Sequence, residues 1–137
     1  MNIMLDEGAI KPTRAHNLDA GLDLYTTRRV VIRPDSSAIF DTGVHIQLPE
    51  GFFGKIESKS GLNCNHGIVS LGGVIDAGYT GSIKVKLYNF GYEHYVFNPG
   101  DKIAQLIIQP CVLTELTEVR EFESTDRGDK GFGSSGK

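Results

Sequence analysis

Hydrophobic and polar residues alternate with a period of two along much of the chain. Ile83, Val85 and Leu87 alternate with serine, lysine and tyrosine, which is the pattern of a strand with one buried face. Other β-rich runs follow the same logic, and they cover residues 30–32, 38–48, 51–57, 68–75, 95–97 and 103–108. Short turn sequences rich in Gly, Pro, Asn and Asp separate them. This spacing predicts an all-β sandwich or barrel.

A single short segment, Ser60–His66, is predicted to be helical. Ser60 can cap its N-terminus, and Gly67 can end it in a left-handed conformation. With 137 residues, the chain is expected to form one domain. Apolar residues become sparse toward the C-terminus, so we expect a β-domain over residues 1–123 and a flexible segment over residues 124–137.

Composition narrows the class of protein. Hydrophobic residues make up 39% of the chain and charged residues 23%, and no apolar run approaches the length of about 20 residues that spans a bilayer. A net charge of −3 disfavours polymeric nucleic acid, whose binding needs a concentrated basic surface. Met1 leads into residues without a secretion-signal pattern, so we expect a cytoplasmic protein. Cys64 and Cys111 are expected to be free thiols.

The C-terminal segment from Arg127 to Lys137 combines glycines, two serines, three cations and one aromatic residue. Glycines let backbone N–H groups surround an anion, and Arg127 offers a planar fork of donors, so the composition suits a nucleotide. The end of the segment also fits G-x-x-x-x-G-K, but it lacks the preceding strand and following helix of a phosphate-binding P-loop. The alternative is a frayed terminus, which is the usual state of Gly/Ser-rich chain ends.

Three glycines enclose one carboxylate and one aromatic residue in the segment 73–81. This pattern predicts a tight hairpin that holds Asp76 and Tyr79 close to a ligand. The alternative is that Asp76 begins an ordinary turn and that Tyr79 covers the core.

Other polar residues stand out within apolar or turn sequences. Lys59 and Ser60 place a cation and a hydroxyl at the start of the predicted helix, which suits a phosphate oxygen, although a solvated lysine beside an ordinary N-cap has the same sequence. Asp23 lies in the apolar run Ala20–Leu24 and needs a cation or a Mg²⁺-linked water if it is buried; the alternative is an outward-facing aspartate. The Gln105 amide can cap backbone or donate to a phosphate.

Together these segments resemble the five ordered motifs of the trimeric dUTPase family. The matching residues are, in chain order, 20–24, 58–62, 73–81, 100–106 and 127–136. Motifs in the same order and with the same spacing are far more specific than any single motif. The resemblance implies a jelly-roll-like distorted β-barrel that forms homotrimers with active sites shared between subunits. It also implies hydrolysis of dUTP to dUMP and pyrophosphate, with Mg²⁺ bound to the triphosphate.

The resemblance further implies a role for each matched residue. Asp76 would orient and deprotonate the attacking water, Tyr79 would pack against the deoxyribose and exclude a 2′-hydroxyl, and Asp23 would reach the metal through water. Backbone groups of the hairpin ending at Gly73 would read the uracil. A C-terminal lid would close over the γ-phosphate and the base. The other residues expected at the substrate are Lys59, Ser60, Gly61, Ile75, Lys86, Gln105, Arg127, Phe132, Gly133, Ser134 and Ser135.

The chain departs from the family pattern at several positions. Lys59 stands where the second motif usually has arginine, so a point charge replaces a bidentate contact. Asn63 and Cys64 replace smaller or apolar residues, and Ser70 stands where some relatives contact uracil with asparagine. One alternative is a dCTP deaminase, which shares the fold but needs a glutamate where this chain has Lys86. Another alternative is a non-catalytic regulatory member of the same fold.

Overall fold

The computed structural model describes residues 1–131, and their regular structure is almost entirely β. The predicted all-β fold with one short helix is therefore confirmed. In chain order the elements are β1 Asn2–Leu5, β2 Leu22–Tyr25, β3 Val30–Ile32, β4 Ser36–Asp41, β5 Val44–Gln47, β6 Phe52–Glu57, α1 Ser60–His66, β7 Ile68–Leu71, β8 Val74–Ile75, β9 Lys84–Asn89, β10 Tyr95–Phe97 and β11 Lys102–Pro110.

The strands pair into four antiparallel sheets. The largest has the order β2-β11-β6-β8, and a second has the order β4-β9-β7. Strands β1 and β5 form one two-stranded sheet, and β10 and β3 form another. Among the described residues these pairings do not close into a ring, so the architecture is a set of sheets around a shared core rather than one closed barrel.

Both larger sheets contribute their apolar faces to the core. On β9, Val85 and Leu87 are buried while the lysines between them are exposed, which confirms the predicted period-two pattern. Leu106 on β11 is fully buried from the other side of the core. Phe40 and Phe97 meet edge to face with ring centroids 5.2 Å apart, and this contact joins β4 to β10.

Two predicted β-rich runs are each divided by glycine. The run 38–48 divides into β4 and β5, where Gly43 has a φ of 64°. The run 68–75 divides into β7 and β8 at Gly72 and Gly73, whose φ angles are 75° and 118°. These left-handed conformations suit glycine and end each ladder. At the second break the chain leaves the three-stranded sheet and enters the four-stranded sheet.

The single helix differs from the prediction at its start. Its N-cap is Lys59, no side chain caps it, and Ser60 is the first helical residue, so the prediction of a Ser60 cap is wrong. The C-cap prediction is confirmed, because Gly67 has a φ of 67° and its N–H donates to the Asn63 carbonyl. No helix within residues 1–131 is long and apolar enough to cross a bilayer.

Regular structure ends at Pro110, and the described residues 111–131 form neither strand nor helix. The Cys111 N–H donates to the Gly51 carbonyl at 2.8 Å, which fastens the start of this segment to the domain. Both cysteines are free, as predicted. The predicted domain boundary between residues 123 and 124 stays a prediction.

Candidate active site

Asp23 on β2 is a buried carboxylate that is held by two lysines. It is 5% exposed, its Oδ1 lies 2.5 Å from Lys59 Nζ, and its Oδ2 lies 2.7 Å from Lys102 Nζ. Burial raises the pKa of Asp23, but the hydrogen bonds from Lys102 and Lys59 outweigh it and bring the pKa below its usual value. The outward-facing alternative for Asp23 is therefore wrong, as is a freely solvated Lys59. The three side chains form a cluster with one net positive charge.

Gln105 lies directly beside this cluster. Antiparallel pairing of β11 places Gln105 opposite Asp23 on one side and opposite Glu57 on the other. Its Nε2 donates to the Ser58 carbonyl at 3.1 Å, so the backbone-capping alternative is observed. A primary amide has a second N–H, which can serve a ligand.

Gly21 makes room for the Gln105 side chain. A Cβ at Gly21 would lie 2.2 Å from Gln105 Oε1, which is closer than any real contact. The glycine of the first motif therefore sets the position of the amide in the fourth. Sequence reasoning singled out the Gly21 motif only for its aspartate.

The start of α1 lies next to the Asp23 cluster, since Lys59 is both its N-cap and a member of the cluster. Ser60 and Gly61 are exposed, and a Cβ at Gly61 would meet nothing within 4 Å. With no side-chain cap, the N–H groups of the first turn have no side-chain acceptor. The hydroxyl, the N–H groups and the cluster together suit a phosphate.

The segment 73–81 differs from the predicted tight hairpin. Strand β8 pairs with β6 and not with the next strand, so the hairpin prediction is wrong. Instead, the Tyr79 N–H donates to the Asp76 carbonyl at 3.0 Å and closes a turn. Asp76 is exposed and Tyr79 is 43% exposed, so Tyr79 does not cover the core.

Tyr79 is nevertheless held in one position. Its hydroxyl donates to the Ser82 carbonyl at 2.9 Å. A Cβ at Gly81 would lie 2.5 Å from the same hydroxyl oxygen, so the ring rests against the Gly81 backbone. The exposed ring is therefore a fixed flat surface rather than a loose side chain.

Gly73 and Ile75 shape the chain that leads to Asp76. The Gly73 carbonyl accepts from the Ile56 N–H at 2.7 Å, and a Cβ at Gly73 would lie 2.9 Å from Ile56 Cβ. Ile75 is buried in the core, so only its backbone is available to a ligand. The Ser70 hydroxyl lies 3.1 Å from the Ser58 hydroxyl and is thus engaged with the second motif.

The register of β6 separates these residues into two groups within one chain. Glu57 on β6 lies opposite Gln105, whereas Gly54 lies opposite Ile75. Asp76 is one residue beyond Ile75, so it lies about 13 Å along the sheet from the level of Gln105 at 3.3 Å per residue. We name the residues from Asp76 to Tyr79 the turn group. We name the other set the anion group, and its members are Asp23, Lys59, Ser60, Gly61, Lys102 and Gln105.

The other predicted residues lie apart from both groups. Lys86 is exposed on β9 of the three-stranded sheet, where it lies opposite Ile39 on β4. Arg127 is exposed and its Nε donates to the Lys130 carbonyl at 3.1 Å, within a local turn. Phe132, Gly133, Ser134 and Ser135 lie outside the described residues.

The described residues contain no cluster of three or more metal-ligating side chains of the His, Cys, Asp and Glu types. Mg²⁺ commonly binds through one or two carboxylates together with substrate phosphates and keeps several waters. Asp23 fits this mode, because it supplies one ionised carboxylate beside an anion-binding surface. Its two oxygens already accept from lysines, so the fit is to a metal that is held mainly by the substrate and reached through water.

The sequence of residues 7–136 matches the model of the dUTPase family. The chain belongs to the dUTPase family. It is 43% identical over 134 residues to the deoxyuridine 5′-triphosphate nucleotidohydrolase of Clostridium kluyveri, covering 96% of this chain and 94% of that protein. The dUTPase of Staphylococcus bacteriophage 80alpha with dUPNHPP is 34% identical, with a TM-score of 0.92, and the match covers 98% of this chain and 97% of that one.

A mutant dUTPase from phage phi11 of S. aureus, described as coordinating a structural Mg(II) ion, is 33% identical. Its TM-score is 0.82, and the match covers 90% of this chain and 98% of that one. The dUTPase fold of the chain is thus established by both sequence and structure.

Lys102 is the member of the anion group that sequence reasoning missed. A usable signal was present, because Lys102 lies three residues before Gln105 in the fourth motif. The sequence alone does not reveal that Lys102 pairs with Asp23, since nothing in it shows that β11 lies antiparallel to β2 with Lys102 opposite Tyr25.

Proposed function

We propose that this dUTPase-family chain hydrolyses dUTP to dUMP and pyrophosphate, which would limit uracil incorporation into DNA and supply dUMP for dTMP synthesis. The observation that carries the proposal is the family match over residues 7–136, which spans all five motifs. The exposed Asp76 and the positively charged anion group support it, because hydrolysis of a triphosphate needs both a base and an anion-binding surface.

The anion group is proposed to bind the triphosphate. Lys59 and Lys102 leave one net positive charge after pairing with Asp23, and the Ser60 hydroxyl, the Gly61 N–H and the Gln105 amide add neutral donors. Bound Mg²⁺ would supply charge neutralisation and polarisation of the phosphoryl oxygens. Asp23 is the residue proposed to hold the water ligands of that ion.

The turn group is proposed to carry the chemistry and part of the specificity. Asp76 accepts a proton from the water whose oxygen forms the new bond to the α-phosphorus, and the bond from that phosphorus to the bridging oxygen breaks to release pyrophosphate. Tyr79 presents its fixed ring to the deoxyribose and leaves no room for a 2′-hydroxyl. Backbone groups from Gly73 to Ile75 read the uracil edge.

We further propose that each site is shared between subunits of a homotrimer. The separation of about 13 Å between the levels of Gln105 and Asp76 supports this proposal, because it sets the two side chains far apart for one phosphoryl group to contact both within a single chain. A second copy can supply the missing group across a symmetric interface. Arg127, Phe132 and residues 133–135 are proposed to close over the bound nucleotide as a lid.

Release of pyrophosphate from dUTP, dCTP, dTTP and UTP, with and without Mg²⁺, tests this function. We expect turnover of dUTP alone, and a strong requirement for Mg²⁺. Asp76→Asn should bind dUTP without hydrolysing it, because it keeps the shape of the side chain and loses the base. Equal turnover of all four nucleotides, or an active Asp76→Asn variant, would contradict the proposal.

A further inference from the structure

The turn group is fastened to the rest of the domain just after Tyr79. The Ser82 hydroxyl donates to the Asp41 carboxylate, and the Gly43 N–H donates to the Ser82 hydroxyl oxygen at 3.0 Å. On the other side, the Thr80 carbonyl lies 2.8 Å from Nδ1 of His45 on β5. The end of the turn group is therefore held by Asp41 of β4, by Gly43 in the connection from β4 to β5, and by His45 of β5.

His45 faces a hydrogen-bond acceptor with each of its ring nitrogens. Nδ1 faces the Thr80 carbonyl, and Nε2 lies 3.1 Å from Asp6 Oδ1. A backbone carbonyl and an ionised carboxylate can only accept, and a neutral imidazole has one N–H. Both contacts are hydrogen bonds only when the ring carries two protons. In the neutral ring, one nitrogen lone pair must face an acceptor. The charge-assisted hydrogen bond from Nε2 to the Asp6 carboxylate is the stronger of the two and keeps the proton, so the lone pair of Nδ1 faces the Thr80 carbonyl.

The surroundings of His45 favour the doubly protonated ring. Its side chain is only 16% exposed, so water has limited access. The charged groups that face it are the carboxylates of Asp6, which follows β1, and Asp41, which ends β4; Lys84 on β9 interacts with Asp41. The Thr80 carbonyl and the Asp6 carboxylate raise the pKa of His45 above its usual value.

We propose that His45 is a positioning residue that, when protonated, holds the turn group in place through the Thr80 carbonyl and releases it when the ring loses a proton. The proposal rests on the dUTP-hydrolysing function proposed above, because it acts through Tyr79. Loss of the contact loosens the ring that packs against the deoxyribose. Affinity for dUTP and rejection of UTP both fall as the pH rises through the titration of His45.

Two variants separate the hydrogen bond from the titration. His45→Asn places a permanent amide N–H near the position of Nδ1, and His45→Phe keeps a ring without a donor. For wild type, we expect the KM for dUTP to rise about threefold to tenfold between pH 6 and pH 9, as for the loss of one hydrogen bond. His45→Asn should lack this His45-dependent rise and keep the low KM, whereas His45→Phe should have the high KM throughout.

A second readout is the kcat/KM for UTP divided by the kcat/KM for dUTP. This ratio would not change if His45 only stabilised the fold. It should rise with pH in wild type and be raised at every pH in His45→Phe, because Tyr79 controls access of the 2′-hydroxyl. Identical profiles for wild type and both variants would overturn the proposal, as would a wild-type KM for His45→Phe.

A measurement without nucleotide keeps this proposal distinct from the proposed function. The His45 ring is titrated by NMR, and the exchange of backbone amide hydrogens of residues 79–82 is followed over the same pH range. Exchange in wild type, corrected for intrinsic base catalysis, should accelerate as His45 loses its proton, and it should not do so in His45→Asn. If wild type fails to hydrolyse dUTP, the proposed function fails, while unchanged exchange across the titration would refute the His45 proposal itself.

Discussion

If the anion group and the turn group of each active site come from different subunits, two inactive variants can restore each other. One chain carries Asp76→Asn in the turn group. The other carries Ser60→Ala and Gln105→Ala in the anion group. These side chains are exposed or half-buried and lie outside the core, so both variants are expected to fold.

The size of the recovery follows from the arrangement of the groups. In a cyclic trimer, each site takes the anion group from one chain and the turn group from its neighbour. Any trimer that contains both kinds of chain then has one interface at which both groups are intact. Mixed trimers should therefore regain about one third of the wild-type turnover, whichever chain is present twice. Each variant alone should remain at about one hundredth of wild-type turnover or less, because two donors or the base are missing.

The assay uses two affinity tags, so that sequential purification isolates only mixed assemblies. Light scattering gives their mass, and pyrophosphate release is measured with saturating dUTP. A matched control mixes Asp76→Asn with Tyr79→Ala, which are lesions in the same group, and no intact site can form there. The absence of recovery in mixed trimers of the first pair, or equal recovery in the control pair, would refute the shared site.

Two further predictions concern single side chains. Gly81→Ala should raise the KM for dUTP about tenfold by displacing the Tyr79 ring, whereas it should have no further effect in a Tyr79→Ala background, where there is no ring to displace; an equal effect in both backgrounds would contradict the role of Gly81. Asp23→Asn should lower the free energy of unfolding by about 1–2 kcal/mol at neutral pH, because the lysine pair loses its counter-charge. Since the folded-state pKa of Asp23 lies below its usual value of 3.8, this difference is fully present at neutral pH, and in urea unfolding it should shrink only as the pH falls below that value and through the lowered pKa.

The strands that could be predicted from the sequence are those with one buried face. Strand β9 shows this, because Val85 and Leu87 enter the core while the neighbouring lysines do not. Strand β1 was missed because all four of its residues are exposed, which leaves no alternation to detect. The breaks at Gly43 and Gly73 were missed because a glycine within an apolar run gives no sign of whether its φ is positive.

The identities of the site residues could be proposed from motifs, but their partners could not. Asp23 was recognised as costly to bury without a cation, and the structure supplies Lys59 and Lys102. These lysines are 36 and 79 residues away from Asp23 in the chain. They reach one carboxylate because β11, which begins at Lys102, pairs with β2 on one side and with β6, which ends just before Lys59, on the other. His45 lies in no motif, and its contacts with Asp6 and Thr80 depend entirely on tertiary structure.

Order along the chain is a poor guide to distance between motifs in this fold. Gln105 lies more than 80 residues after Asp23, yet the antiparallel register of β2 and β11 places them directly opposite each other. Asp76 follows Lys59 by only 17 residues, but β7 belongs to another sheet, and β8 returns beside the middle of β6 and runs toward its first residue, away from Lys59. A chain arranged in this way can bind a triphosphate at one place and present a base at another. Under the proposed shared site, a second copy supplies the missing group, because side-chain rotation does not span a gap of about 13 Å along the sheet.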